Sequence, residues 1–308
     1  MVKQLFRNTA FLAIITCLLW STAFAGSKIA MKYMPPLQLA GFRFFVSGLI
    51  LLLWFGKFRS YFSIIKKHIG FVLWVAFLQT FLMYSFFYLG LNLVPGALGA
   101  MIIGSGPLFA VLVAHFFIRD DKMNWKLTTG LFLGIAGIII INYGRQISGI
   151  AGHLELLGVL LLILNNLAGG AYNVVIYKSN REIPAMVLSS ASLGIGGLGL
   201  FLFSLPIEGF QIKAYPFEFW AAFAWLCMLS AVAFSIWFAL LKRPGIKVST
   251  LNTWKFLIPV FGAILSWWLI PNEYPDTYSI VGMAVIASSI LVINHETIFQ
   301  KFKSLNFS

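Results

Sequence analysis

The sequence predicts an all-α integral membrane protein of ten transmembrane helices in two inverted five-helix repeats, and three observations carry that reading. Of 308 residues, 60% are hydrophobic and only 10% charged, where soluble domains average roughly 45–50% and 25%. So little charge cannot cover the surface of two soluble domains, and lipid must be the solvent. Ten apolar runs divide the chain, most of them near the ~20 residues that cross a bilayer as a helix. Features of the first half also recur in the second at a constant spacing.

The runs, bounded by proline, glycine and charge, extend over Thr9 to Met31, Pro35 to Phe55, Ile69 to Leu91, Pro95 to Phe117, Leu127 to Tyr143, Leu154 to Tyr177, Pro184 to Leu205, Phe217 to Leu241, Val248 to Ile270 and Tyr278 to Ile293. The first mimics a secretory signal, with Lys3 and Arg7 before an apolar run and Ala23-Phe24-Ala25 ahead of Gly26. Cleavage there would leave nine spans and break the repeat, so the run is taken as a span. Cys17 and Cys227 both lie inside apolar runs and behave as small hydrophobes, without a disulfide framework or metal cluster.

Lysine and arginine total 22 against nine acidic residues. In a soluble chain that excess suggests nucleic acid, but here the basic residues cluster in short gaps between apolar runs, so no nucleic-acid partner is expected. Sixteen fall on one side of the predicted bundle, in the N-terminus, alternate loops and the tail, and four on the other: Lys28, Lys32, Arg145 and Lys213. The basic side faces the cytoplasm, which puts both termini inside an inner-membrane, multi-pass protein held among anionic lipids. The remaining two, Arg43 and Lys255, sit within spans.

Pro107, Phe109, Asp121, Gly130 and Asn142 recur as Pro259, Phe261, Glu273, Gly282 and Asn294, each displaced by 152 residues. The halves, 1–148 and 149–308, each hold an odd number of spans, so the second enters the membrane the other way up. Inverted repeats of this kind place a substrate site at their interface near the bilayer midplane.

With Leu19-Trp20-Ser21 in the first span, Arg43 after Pro35-Pro36 in the second, and P-x13-[DE]-x8-G ending each half, the chain resembles the drug/metabolite transporter superfamily, in particular its EamA-type members. The resemblance covers about Thr9 to Asn294. It implies export of amino acids, other metabolites or drugs, and a cavity lined mainly by spans one, three, four, six, eight and nine. Lys255 departs from the pattern, since the family more often has a neutral residue before the proline of span nine.

Several residues are candidates for the site. Arg43 lies about 12 Å into its span, where an ionisable group marks function by default; it either contacts substrate or clamps and gates neighbouring helices. Lys255 lies four residues before Pro259, which deprives its carbonyl of the usual helical donor. It either binds an anionic group or snorkels to the interface. Asn166, Gly169, Gly170, Asn173 and Tyr177 share one face of span six, as do Cys17, Ser21, Phe24 and Lys28 of span one, with Trp20 adjoining, and Thr80, Tyr84 and Tyr88 of span three. These faces line a cavity or pack helices. Trp237 and Trp254 can wall an organic substrate, while Trp220, Trp225, Trp267 and Trp268 suit the interfacial belt. Pro107 and Pro259 are candidate kinks for gating, and Gly130, Gly134, Gly194, Gly196, Gly197 and Gly199 let helices approach. Asp121 and Glu273 fall at span junctions, where they cap the following helix or pair with cations.

The expected function is therefore a secondary transporter, most simply a monomer, moving a small organic metabolite by alternating access without a cofactor. A membrane-embedded enzyme and a sensor or scaffold are the alternatives. His68, His115, His153 and His295 are scattered without metal-ligand spacing, Ser105 and His115 are ten residues apart on one span, and no Walker motif occurs. No carboxylate falls near the centre of a run, which argues against proton antiport and for cavity contacts that prefer anions.

Overall fold

The computed structural model describes residues 8–119, 125–147, 152–209, 214–288 and 292, and every regular element among them is helical. Helix α1 (Thr9–Met31) begins at Asn8, whose Oδ1 accepts from the N–H groups of Ala10 and Phe11 at 3.0 and 3.3 Å. Helix α2 (Pro36–Phe55) opens on proline, whose missing N–H costs nothing in a first turn, and ends at Gly56 with φ at 66°. After α3 (Phe58–Lys67) come α4 (Ile69–Leu93), α5 (Gly96–Phe117) and α6 (Trp125–Ile147). The second half contains α7 (Glu155–Tyr177), α8 (Ala185–Glu208) and α9 (Phe217–Leu241). Helix α10 follows in three pieces, Val248–Asn252, a 3₁₀ turn Thr253–Phe256 and Leu257–Leu269, and then α11 (Thr277–Ser288).

Among the described residues, seven helices are long and apolar enough to cross a membrane: α1, α2, α4, α5, α7, α8 and α9. Three shorter apolar stretches, Thr128–Ile141, Leu257–Leu269 and Thr277–Ser288, occupy the fifth, ninth and tenth expected spans. Asp121, Asn294, the side chain of Asn142 and the end of the tenth expected run lie outside the described residues.

Two features depart from the sequence expectation. The segment between the second and third spans is a helix, α3, because Phe58, Tyr61, Phe62 and Ile65 recur at helical spacing. The third span is not uniform: Ala76–Leu82 is a π-helical stretch, with Gln79 and Thr80 fully buried in it. The Thr80 hydroxyl donates to Gln79 Oε1 at 2.8 Å, and Thr80 packs where Gly196 of α8 leaves room.

The packing follows a two-fold pattern. Helix α2 pairs with α8 and α5 with α10; α1 packs on α9 as α7 packs on α4; α1 packs on α10 as α7 packs on α5. Each of these contacts maps onto another, or onto itself, when the halves are exchanged, as two repeats require. Lipid supplies no hydrophobic drive between helices, so small residues set how close they come. A Cβ at Gly48 of α2 would overlap the backbone of Gly194 and one at Gly197 of α8 the backbone of Phe45, so this central seam closes only with glycine.

Candidate functional site

Both halves contribute to a central cavity of about 80 Å³. Its walls are Trp20, Ala23 and Phe24 of α1, Arg43 of α2, Met83, Tyr84 and Phe87 of α4, and Ile103, Gly106 and Ala110 of α5. From the second half come Asn165, Asn166, Gly169, Gly170, Tyr172 and Asn173 of α7, Phe234 of α9, and Asn252, Lys255 and Ile258 of α10. These are the first, third, fourth, sixth, eighth and ninth spans, with Arg43 added from the second.

Helices α5 and α10 are broken where they meet the cavity. Helix α5 stops at Gly104 and restarts at Gly106, just before Pro107. At the break Ile102 O accepts from the N–H and hydroxyl of Ser105 at 3.1 and 2.6 Å, and Asn166 Nδ2 donates to it at 2.8 Å across from α7. In α10 the chain tightens into the 3₁₀ turn ahead of Pro259, so the N–H of Leu257 turns back to the carbonyls of Lys255 and Trp254. The two breaks touch, since Gly104 packs directly against the Pro259 ring.

The two deep cations sit in different surroundings. Arg43 is 1% exposed. Its Nη1 donates to Tyr88 Oη at 2.7 Å and reaches Ser27 Oγ at 3.5 Å, Nη2 donates to Ser230 Oγ at 3.0 Å, and its Cζ lies 4.3 Å from the Phe44 ring centroid. It therefore ties α2 to α1, α4 and α9 through hydroxyls and an aromatic face, with no carboxylate. Lys255 does not snorkel: its Nζ stands 5.4 Å from the Trp20 ring centroid and 4.6 Å from that of Trp237, facing the cavity. Among the described residues it has no ion-pair partner, and no carboxylate lines the cavity.

Of the residues expected from the sequence, Trp20, Arg43, Tyr84, Asn166, Asn173 and Lys255 converge on this space. Four others stand behind the wall. Ser21 donates to the carbonyl of Cys17 at 2.8 Å, Tyr88 is held by Arg43, and Trp254 packs against the core. Trp237 is fully buried and donates through Nε1 to Asn173 Oδ1 at 3.0 Å. Sequence reasoning missed Asn165 and Asn252. Asn252 accepts from Asn173 Nδ2 at 3.1 Å and donates to Val248 O at 2.8 Å, so one amide network joins α7, α9 and α10. A buried amide in an apolar run needs partners, and that signal was present in Asn252, three residues before Lys255.

Glu273 accepts from the N–H groups of Gly96 and Ala97 at 2.7 and 3.0 Å, capping α5 of the other half rather than the helix that follows it. Glu208 does the same for α2, accepting from Leu37 and Gln38 at 2.9 Å each. Outside the spans, Tyr33 donates to Glu218 at 2.7 Å, which raises its phenol pKa, and burial lowers that of Lys242.

A model of the EamA-like transporter family matches this chain twice, over residues 7–143 and 156–295. The chain belongs to the EamA-like transporter family. The two matches fall one on each half of the two-fold packing, with the cavity between them. The uncharacterized transporter YvbV of Bacillus subtilis is 25% identical over 100% of this chain and 98% of its own length. The uncharacterized inner membrane transporter YedA of Escherichia coli K12 is 23% identical over 80% and 78%. A solved crystal structure superposes with a TM-score of 0.70 over 96% of this chain and 98% of that one, at 19% identity, which shows a shared fold. This is a multi-pass membrane transporter, and family membership implies a small-molecule substrate.

Proposed function

We propose that the chain is a secondary transporter that exports small organic metabolites, amino acids or organic acids in the first instance and drugs in the second, by alternating access. The reading rests on one observation: a largely apolar cavity with a few polar groups lies between the two halves, bounded by two broken helices in mutual contact. At about 80 Å³ the cavity is smaller than the roughly 300–1,000 Å³ of small-molecule pockets, so substrate enters only as the halves, 1–148 and 149–308, move apart. Trp20, Arg43, Tyr84, Asn166, Asn173 and Lys255 face the substrate, with Ser21, Tyr88, Trp237 and Trp254 supporting them, and Pro107 and Pro259 mark the hinges. The protein works as a monomer in the inner membrane with both termini cytoplasmic, and performs no enzymatic step.

No carboxylate is among the described residues of the cavity wall, so flux is exchange or facilitated diffusion rather than obligatory proton antiport. Purified protein in proteoliposomes is expected to move members of an amino-acid and organic-acid panel down their gradients without an imposed proton gradient. Silence across the panel in both directions, from protein that is monodisperse and folded, contradicts the transport reading. Flux that depends strictly on a proton gradient, even after His115→Ala, contradicts the coupling.

A further inference from the structure

Among the described residues, the cavity wall holds two cations and no carboxylate. The amide oxygens of Asn173 and Asn252 already accept from Trp237 and Asn173. Arg43 has spent its terminal nitrogens on three hydroxyls. Lys255 has an ammonium with no ion-pair partner among the described residues, and Trp20 beside it has a buried indole N–H without a hydrogen-bond partner. A ligand's ammonium group thus finds no anion among the described lining residues, whereas a carboxylate finds a cation.

The position of that cation adds a second argument. An ammonium within about 6 Å of two indole centroids occupies the place that an organic cation takes in an aromatic cage. Lys255 Nζ does so between Trp20 and Trp237, whose rings lie 5.1 Å apart by centroid. The wall then continues as aromatic surface, from Trp20 to Phe234 at 5.5 Å, to Tyr84 at 6.1 Å and on to Phe87 at 5.6 Å. Charge is fixed at one corner, and apolar ring surface leads away from it.

Given the transport reading above, we infer that the substrate is an aromatic monocarboxylate without an ammonium group, its carboxylate received by Lys255. By filling the Trp20–Trp237 corner, the same lysine keeps organic cations out of a cage that would otherwise hold them. Lys255 is thus the specificity-determining residue of the cavity, and simple aromatic acids are favoured over the zwitterionic amino acids.

The test is binding to purified wild-type protein in detergent, read by titration calorimetry, with four probes of one ring type: phenylacetate, phenylacetamide, phenylalanine and 2-phenylethylammonium. Phenylacetate is expected to bind at least ten-fold tighter than the amide, phenylalanine to fall between them, and the ammonium to bind weakest. Lys255→Met, which keeps the chain length, is expected to weaken phenylacetate at least ten-fold and to bind 2-phenylethylammonium better than wild type does. Lys255→Arg is expected to keep the wild-type order. Equal binding of acid and amide, a wild-type preference for the ammonium, no binding of any probe, or unchanged acid affinity in a folded Lys255→Met protein each overturns the inference. The wild-type order needs no variant to fold. If the order holds and flux is absent, the transport reading fails and the site assignment stands; if flux is present and the order fails, the reverse is true.

Discussion

On the rim where α1 ends, three carboxylates of the second half reach across to the first. Glu208 takes two backbone N–H groups at the start of α2, Glu273 takes two at the start of α5, and Glu218 takes the Tyr33 hydroxyl and stands 3.6 Å from Lys32 Nζ. On the rim where α1 begins, three bonds between the halves among the described residues end on neutral acceptors. Lys178 donates to Phe117 O at 3.2 Å, Arg243 to Thr9 Oγ1 at 2.9 Å, and Tyr61 shares a 3.0 Å bond with Ser190. Bonds with an ionised partner are about twice as strong as neutral ones, which holds for Lys178 and Arg243 as donors as well, but the carboxylates at helix N-termini also meet the positive end of the helix dipole. Among the described residues, the first rim is bolted at two helix N-termini and the second latched by single bonds.

The largest effect is expected between the rims, where Arg43 joins three helices of the first half to α9 of the second. Arg43→Met removes charged donors from Tyr88, Ser27 and Ser230, each lost bond being worth about 1.5–3 kcal/mol, while Ser27 and Tyr88 keep their mutual bond and Ser230 its bond to Leu226 O. The melting temperature in detergent should fall further than for any rim variant; a change within a degree or two would mean that the guanidinium binds nothing structural. Arg43→Lys cannot reproduce the fork and should recover only part of the loss.

Glu273→Gln comes next. The amide offers one oxygen for two N–H groups, and loss of a helix cap costs about 0.5–2 kcal/mol. The same substitution at Glu208 should behave alike, and each should lower the thermal midpoint more than Tyr61→Phe on the opposite rim. Tyr61→Phe removes one neutral bond worth about 0.5–1.5 kcal/mol. If Tyr61→Phe proves the more damaging, the contrast between the rims fails. Smallest is Lys178→Met, whose exposed donor should be worth a few tenths of a kcal/mol; a clear drop in midpoint would show that the latched rim carries more than its bonds suggest.

The sequence displayed the scaffold more readily than the connections. Apolar runs, the prolines that open α2, α5 and α8, and the 152-residue register are local or periodic, so spans and repeat could be read before any contact was known. The expected faces of α4 and α7 followed from helical spacing, and the cavity wall takes Tyr84, Asn166 and Asn173 from them but not Thr80, Tyr88 or Tyr177. What escaped was pairing between distant segments. Glu208 meets Leu37 across 171 residues, and nothing near either residue announces the other. The hydroxyls around Arg43 lie on three separate helices, so its role as a clamp could not be separated from substrate contact. The π-helical stretch of α4 depends on Thr80 finding room at Gly196, a tertiary fit without a local sequence mark. Helix α3 was written in its spacing, but a basic loop between spans hid it.

Alternating access is the claim on which the rest depends, and a reversible staple on the bolted rim tests it most directly. Tyr33→Cys and Glu218→Cys, with Cys17→Ala and Cys227→Ala to remove the buried thiols, put two cysteines at a contact between the halves. A short bis-methanethiosulfonate linker then joins them, and reductant removes it. Flux in proteoliposomes is expected to fall at least ten-fold when the linker is in place and to return on reduction, while detergent-solubilised protein still binds phenylacetate. Undiminished flux from protein that mass spectrometry shows to be fully linked would contradict alternating access about these two halves.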